Sequence, residues 1–406
     1  MIVNTEEMLE KSQSYLMTFC QEISERCVGS VGNRQATRFF EQEIASFGWK
    51  TETDEFDAID WEDGGATLEA GNHSFEVLAS PYSLACSTTQ ILQAVSTLTE
   101  LEQADLQGKI VLLHGEISRE QLMPKNFVFY NPDEHQRIIS LLEEKRPAAI
   151  ISATGRNAAL AGGVYPFPLI DDGDFDIPSV YMTEEEGLKL LPLMGQTARL
   201  VSRSRRIPGK GTNVTARKGN DATQRIVITA HIDAIKGTPG AIDNASGVVV
   251  LLLLAELLAD YEGNRMLEIV ALNGEDYYAV SGQMDYLKKN QDRFHEILFN
   301  INLDGAGYRE GKTAISLYEL PLAVKEKLLE IMTHYPGMTE GTQWYQGDHG
   351  IFTQNGRPAM AVSSEWFTEN IDSQEITHTP KDRPEIVDCA RLVEIAAMLA
   401  KFLPDV

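Results

Sequence analysis

Three short apolar runs, Arg225–Ala230, Met266–Leu272 and Ile297–Leu303, alternate with helix-forming stretches near Gly247–Asp260 and Gly282–Asn290. Strands separated by helices are joined by crossovers rather than hairpins, so this half of the chain predicts a largely parallel α/β sheet. Runs such as IVITA and LEIVAL lack a clean apolar–polar alternation, which fits strands covered on both faces. In sheets of that kind ligands gather outside the carboxyl ends of the strands. Each run here ends in ionisable residues: His231-Ile232-Asp233, Asn273-Gly274-Glu275-Asp276 and Asp304.

The rest of the chain frames that half. At 406 residues it exceeds one ordinary domain. Two helices open it, over residues 5–27 and from Arg34 to Phe47. Short strands follow at Trp49–Phe56 and Ala66–Leu78, with turns at Gly64-Gly65 and Gly71-Asn72. From about Ser80 to Arg205 the texture changes to strand-like segments, Lys109–His114, Ala148–Ser152 and Ile177–Tyr181, set between helical or loop-like stretches. Residues 80–205 are therefore expected as an insert into a domain made of 1–79 and 206–406. Ser202–Gly211, basic and containing Pro208, is expected as the return linker.

Composition excludes several classes. With 35 basic against 60 acidic residues, the net charge of −25 disfavours nucleic acid and anionic membranes as partners. The longest apolar run, Val248–Ala259, is interrupted by Glu256 and is far below the roughly 20 residues a membrane span needs. The amino-terminal stretch is acidic and lacks a long apolar core, which predicts a cytoplasmic protein. Cys20, Cys27, Cys86 and Cys389 show no paired spacing and are expected as free, buried thiols.

Taken singly, the polar motifs are ambiguous. His231 and Asp233 can share one face of an extended segment, one binding a metal and the other orienting the imidazole, or can form a surface pair. Asp243, in Gly240-Ala-Ile-Asp243-Asn244-Ala-Ser-Gly247, can cap the following helix or bridge two cations. Glu275 and Asp276 face one site only if the chain has already turned, which Gly274 permits. Asp304 precedes permissive glycines, and His378 and Asp382, in His378-Thr-Pro-Lys-Asp382, can be structural, with Asp382 capping the next helix.

Together, His-x-Asp, Asp-x-Ala-Ser-Gly, paired acids, Leu-Asp and a final His-Thr-x-x-Asp occur in the order found in the co-catalytic di-zinc aminopeptidases, metallopeptidase family twenty-eight. The chain resembles that family across nearly its whole length. The resemblance implies a three-layer α/β peptidase domain with a mixed, largely parallel sheet flanked by helices, plus a smaller β-rich or α/β insert. It implies two Zn2+ per chain, one held by His231 and Asp304, the other by Asp276 and His378, with Asp243 between them. Glu275 is then the general base and Asp233 its catalytic companion, orienting His231. The resemblance also implies a peptide substrate, cleaved at its unblocked amino terminus. The insert resembles a protease-associated domain, and the Asp243–Asn244 peptide is expected to be cis.

The match has departures. Asp276 is one methylene shorter than the glutamate common at its position, which puts the second zinc in doubt and suits a weaker site or another divalent ion. Gly347-Asp348-His349-Gly-Ile-Phe352 resembles a Ser-Asp-His-x-x-Phe loop with glycine for serine. His349, Asp348 and Tyr345 are the substrate or oxyanion candidates, and Trp344, Trp366 and Phe367 can line a side-chain pocket or pack in the core. A carboxypeptidase or dipeptidase would use arginines such as Arg309 or Arg357 for a substrate carboxylate. A glutaminyl cyclase would need one zinc, and a receptor-like relative would lose ligands, whereas every ligand position here holds a competent residue.

Overall fold

The computed structural model describes residues 5–23 and 25–406. The chain forms two compact units, one of residues 1–58 with 210–406 and one of residues 59–209. Among the described residues the first unit's sheet has the spatial order Lys50–Glu62, Arg205–Lys218, Arg265–Leu272, Asp221–His231, Ile297–Leu303, Ala359–Ser364, Thr313–Tyr318, Met338–Glu340. Its four central strands are parallel. Ile226 pairs with Leu267 on one side and Phe299 on the other, and Asn300 pairs with Ala359. Arg205–Lys218 runs antiparallel to Arg265–Leu272, and Thr313–Tyr318 runs antiparallel to Ala359–Ser364 but parallel to Met338–Glu340, which makes the sheet mixed.

From Asp221–His231 the chain passes through the helix Ser246–Leu257 to the strand on one side. It then passes through the helix Ser281–Asn290 to the strand on the other side. The connections diverge at the strand ending in His231, and in a parallel sheet a crevice opens at that point. Parallel strands place their carboxyl ends together, so His231, Leu272 and Leu303 deliver the following residues to the same edge.

The helix Ser246–Leu257 is buried throughout except for Glu256, which pairs with Lys11. A helix apolar all round needs cover on both sides. It packs with Ile226, Ile228, Ala230, Leu267, Ile269 and Phe299 of the sheet and with residues of the helices Thr5–Met17, Val31–Ser46 and Cys389–Phe402. The opening helix expected over 5–27 is shorter: Thr5–Met17 continues into a wide turn at Thr18–Glu22, and Ser24 lies outside the described residues, as do residues 1–4 of the amino-terminal stretch. The second helix starts three residues before its expected position, at Val31, because Ser30 Oγ accepts the Asn33 N–H at 3.0 Å and caps it.

In the second unit the strands follow the order His73–Phe75, Ala66–Ala70, Thr197–Ser202, Cys86–Val95, Ile110–Leu113, Ala149–Thr154, Ser179–Thr183, Leu78–Ala79. Apolar clusters lie on both sides of this sheet, one around Leu113, Ile139 and Ile150, the other around Leu112, Ile151 and Leu200. One expectation is corrected. Ser202–Gly211 does carry the chain from the second unit back to the first, but largely as strand rather than as an irregular linker, since Thr197–Ser202 and Arg205–Lys218 are strands. Glycine, proline and arginine disfavour a strand locally, but pairing with neighbouring strands overrides that preference, which only the assembled sheets reveal. The four cysteines are unbridged, three of them buried and Cys86 half-buried. Among the described residues no helix is long and apolar enough to cross a membrane.

The opposite face of the first sheet is polar inside. Arg225 and Glu268 are both buried, at 1% and 0% exposure, and Arg225 Nη1 donates to both Glu268 oxygens at 3.1 Å. Arg217 Nε donates to Glu268 at 2.7 Å, Tyr286 Oη donates at 3.1 Å, and Arg225 Nη2 donates to Asn290 at 3.0 Å. Removing one member of a buried pair leaves the other charge uncompensated, at a cost of about 3–5 kcal/mol. Glu268→Gln is expected to lower stability by that amount. Urea unfolding followed by circular dichroism should show a lower midpoint, and an unchanged midpoint would mean the network contributes nothing net.

Candidate metal centre

At the carboxyl edge of the parallel strands, Asp243 lies between two histidines. Its Oδ1 is 3.2 Å from Nε2 of His231, and its Oδ2 is 3.2 Å from Nε2 of His378. Asp304 Oδ1 lies 3.7 Å from the His231 nitrogen, and Asp276 Oδ1 lies 3.0 Å from the His378 nitrogen. His231, Asp243 and Asp304 form one group whose ligand-type atoms are within 4.8 Å of one another, and Asp243, Asp276 and His378 form a second. The two groups share Asp243. Glu275 joins His231 and Asp276 in a third such group.

This donor set fits zinc, which takes imidazole nitrogen and carboxylate oxygen. Nε2 of His231 and Oδ2 of Asp276 are buried without hydrogen-bond partners, a costly state for polar atoms unless a cation takes them. The centre is graded in exposure: His231 is 1% exposed at its floor and His378 28% at its rim. Solvent and ligand therefore reach the His378 side.

Each loop of the centre is held from behind. Asp233 accepts the N–H of Gly274 at 2.6 Å and that of Asp276 at 3.1 Å. Gly274 has φ +129°, a left-handed turn that turns the chain so that both Glu275 and Asp276 face the centre. With its backbone drawn in this way, the shorter Asp276 side chain still reaches the His378 imidazole. Asp233 orients His231 differently from expectation. Its carboxylate is 3.8 Å from Nδ1, while its main-chain carbonyl is nearer, at 3.3 Å. The reason is that both carboxylate oxygens are engaged by the acidic loop.

Asp382 does the same for the other loop, accepting the N–H of Ile242 at 2.7 Å and of Asp243 at 3.1 Å. It therefore does not cap the next helix; Asp388 does, through the Ala390 N–H. The Asp243–Asn244 peptide is cis. Asn244 Nδ2 donates to the Leu303 carbonyl at 2.8 Å, and its Oδ1 accepts the Gly247 N–H at 3.1 Å, tying this loop to the strand that carries Asp304. His378 sits in the left-handed region, with φ +60°, on a loop whose Ile376 and Thr377 N–H groups are held by Gln374 Oε1.

Burial pushes the Glu275 carboxyl well above the usual carboxylate range; the His231 imidazole opposes this, and the Asp276, Asp304 and Asp348 carboxylates add to it. Burial likewise moves Asp233 up to about 6, against His231 and with Asp276. Asp382 rises to about 7 through burial and the nearby Asp243 charge.

The remaining candidates separate. Asp348 is buried, accepts from Gln283 Nε2 at 3.1 Å and is pushed up to about 7 by burial, with its Oδ2 unpartnered. His349 is closed off at 1% exposure, its ring packed on Tyr318 and Trp344 and its Nε2 2.9 Å from the Trp344 carbonyl. Tyr345 is 79% exposed. Gly347 has φ +98°, where any residue with a Cβ is strained, and a Cβ there would lie 2.9 Å from Asp304 Oδ2, so serine at this position would displace the Asp304 carboxylate. Trp366 and Phe367 stack with Tyr308. Arg357 lies just before Ala359–Ser364, at the strand end away from the centre, and the Arg309 side chain is 56% exposed beside Glu310. Sequence reasoning missed Arg26, Asn33, Asn244 and Gln283. A pattern read along the chain carries no signal for the first two, whose partners in the site's loops, Ile232 and Asn273, are more than 200 residues away.

Residues 213–403 match the model of Peptidase family M28. The chain is 22% identical over 390 residues to a probable leucine aminopeptidase 2 of Aspergillus oryzae, covering 93% of this chain and 68% of that protein. It is 23% identical over 236 residues to aminopeptidase YwaD of Bacillus subtilis, covering 55% of this chain but only half of that relative. The fold resembles the structure of BSAP, a zinc aminopeptidase from Bacillus subtilis, with a TM-score of 0.73 and 17% identity over 98% of this chain and 94% of that one. Residues 213–403 thus form a Peptidase family M28 domain, and the likeness of the rest of the chain to these aminopeptidases is one of fold.

Proposed function

We propose that the chain is a two-zinc aminopeptidase that removes unblocked amino-terminal residues from peptides. The observation that carries this reading is Asp243, with one carboxylate oxygen 3.2 Å from each of two imidazoles, Asp304 beside the first and Asp276 beside the second. In this reading His231 and Asp304 hold one ion, Asp276 and His378 hold the other, and Asp243 serves both. When bound, such a pair polarises the scissile carbonyl and lowers the pKa of a shared water.

The chain's own side chains do the rest. Glu275 takes the proton of the attacking water and returns it to the departing amine nitrogen, a role suited to a carboxylate grouped with His231 and Asp276. Asp233 holds the Glu275–Asp276 loop in register for that transfer. The names of the relatives support amino-terminal rather than carboxyl-terminal cleavage, and the placement of Arg309 and Arg357 offers no buried clamp for a substrate carboxylate. The second unit, residues 59–209 rather than the expected 80–205, is read as a protease-associated-like insert.

Glu275→Gln should lower hydrolysis of an aminoacyl-anilide panel by about 10²–10⁴-fold while zinc content stays at the wild-type level. Full activity with zinc retained would remove Glu275 as the base. Elemental analysis should find two zinc ions per chain, with activity lost on chelation and restored by added zinc; a single retained ion in a fully active sample would refute the paired centre. Peptides with an acetylated amino terminus should resist cleavage and carboxyl-amidated ones should not. The reverse pattern identifies a carboxypeptidase.

A further inference from the structure

Arg26 lies in the amino-terminal segment, 3% exposed, and spends its guanidinium on main-chain carbonyls. Nε donates to Ile232 at 3.0 Å, Nη1 to Pro239 at 2.8 Å and Phe19 at 2.6 Å, and Nη2 to Gly240 at 2.8 Å. Three of these carbonyls belong to the loop that begins after His231 and ends at Asp243. The N–H groups at the far end of that loop, on Ile242 and Asp243, are taken by Asp382. One loop is thus held by a cation on its carbonyls and an anion on its amides.

The same amino-terminal segment reaches the second loop. Asn33 Nδ2 donates to the Arg26 carbonyl and to Asn273 Oδ1, both at 2.8 Å, and Asn273 Nδ2 returns a bond to Asn33 Oδ1 at 2.9 Å. Asn273 opens the turn that carries Glu275 and Asp276. A planar guanidinium with five donors in a fixed fork can address several carbonyls at once, which a lysine ammonium cannot.

We propose that Arg26 and Asp382 are positioning residues that fix Asp243 relative to His231, so that the metal affinity of the centre depends on both although Arg26 touches no ligand side chain. The proposal rests on the reading of His231, Asp243, Asp276, Asp304 and His378 as ligands. Outer residues that orient ligands commonly change metal affinity by about 10–100-fold when altered.

The test compares wild type, Arg26→Lys and Glu268→Gln. The last alters a network four residues back along its strand from Leu272, away from the ligand loops. Zinc affinity is measured by competition with a chromophoric chelator, and the visible spectrum of each cobalt-loaded protein reports ligand geometry. Both are read at a temperature where circular dichroism shows every variant folded. Arg26→Lys should bind zinc about 10–100-fold more weakly and change the cobalt spectrum, while Glu268→Gln should match wild type in both. If Arg26→Lys does not fold, Asp382→Asn carries the same expectation from the other side of the loop. Wild-type affinity and spectrum in the Arg26 or Asp382 variant would overturn the proposal, and so would an equal loss in Glu268→Gln, which would make the effect one of general stability. Failure of wild type to bind zinc would instead overturn the metal reading beneath it.

Discussion

Carboxylates held close together against their own repulsion are the constraint on which the rest of this structure depends. Asp243, Asp276, Asp304 and Glu275 crowd two imidazoles, with ligand-type atoms within 4.8 Å in each group. Two like charges about 4 Å apart repel by roughly 4 kcal/mol at an effective dielectric constant of about 20. A flexible loop would relieve that repulsion by moving away. These loops do not, because each is anchored at a strand end and gripped again from behind.

The grip is the same at both loops. A buried aspartate that is not among the ligand candidates accepts two successive or nearly successive backbone N–H groups: Asp233 takes Gly274 and Asp276, and Asp382 takes Ile242 and Asp243. Hydrogen bonds to an ionised acceptor are stronger than neutral ones, and two on one carboxylate also fix its plane. The arrangement fixes the local backbone, so the outward-facing acid has little freedom to swing. It also explains how Asp276 serves where a longer side chain is usual: the backbone is brought to the site instead of the side chain reaching further.

The unit's sheet treats its two faces differently. One face packs against the apolar helix Ser246–Leu257. The other carries Arg225, Glu268, Tyr286 and Asn290 in a connected buried network toward the start of the parallel strands, the end opposite the edge that carries the ligand candidates. Charged groups are thus buried at both ends of the strands. At one end Arg225 and Glu268 pair with each other, although Arg225 Nε is left without a hydrogen-bond partner, and at the other His231 and Asp276 present unpartnered ligand atoms.

Much of this was legible in the sequence. The alternation of apolar runs with helices specifies parallel strands, and parallel strands by their geometry collect their carboxyl ends; the identities of His231, Asp243, Glu275, Asp276, Asp304 and His378 then specify the chemistry that edge can perform. What the tertiary structure alone decided is which polar groups hold those residues in place. Arg26 meets Ile232 across 206 positions and Asn33 meets Asn273 across 240; Gly347 is favoured by its φ of +98° beside Asp304; and Arg205–Lys218 is a strand because of its sheet partners. Periodicity and local composition report what a residue does within a few positions of itself. A hydrogen bond between distant segments leaves no such mark, so it appears only when the fold brings donor and acceptor together.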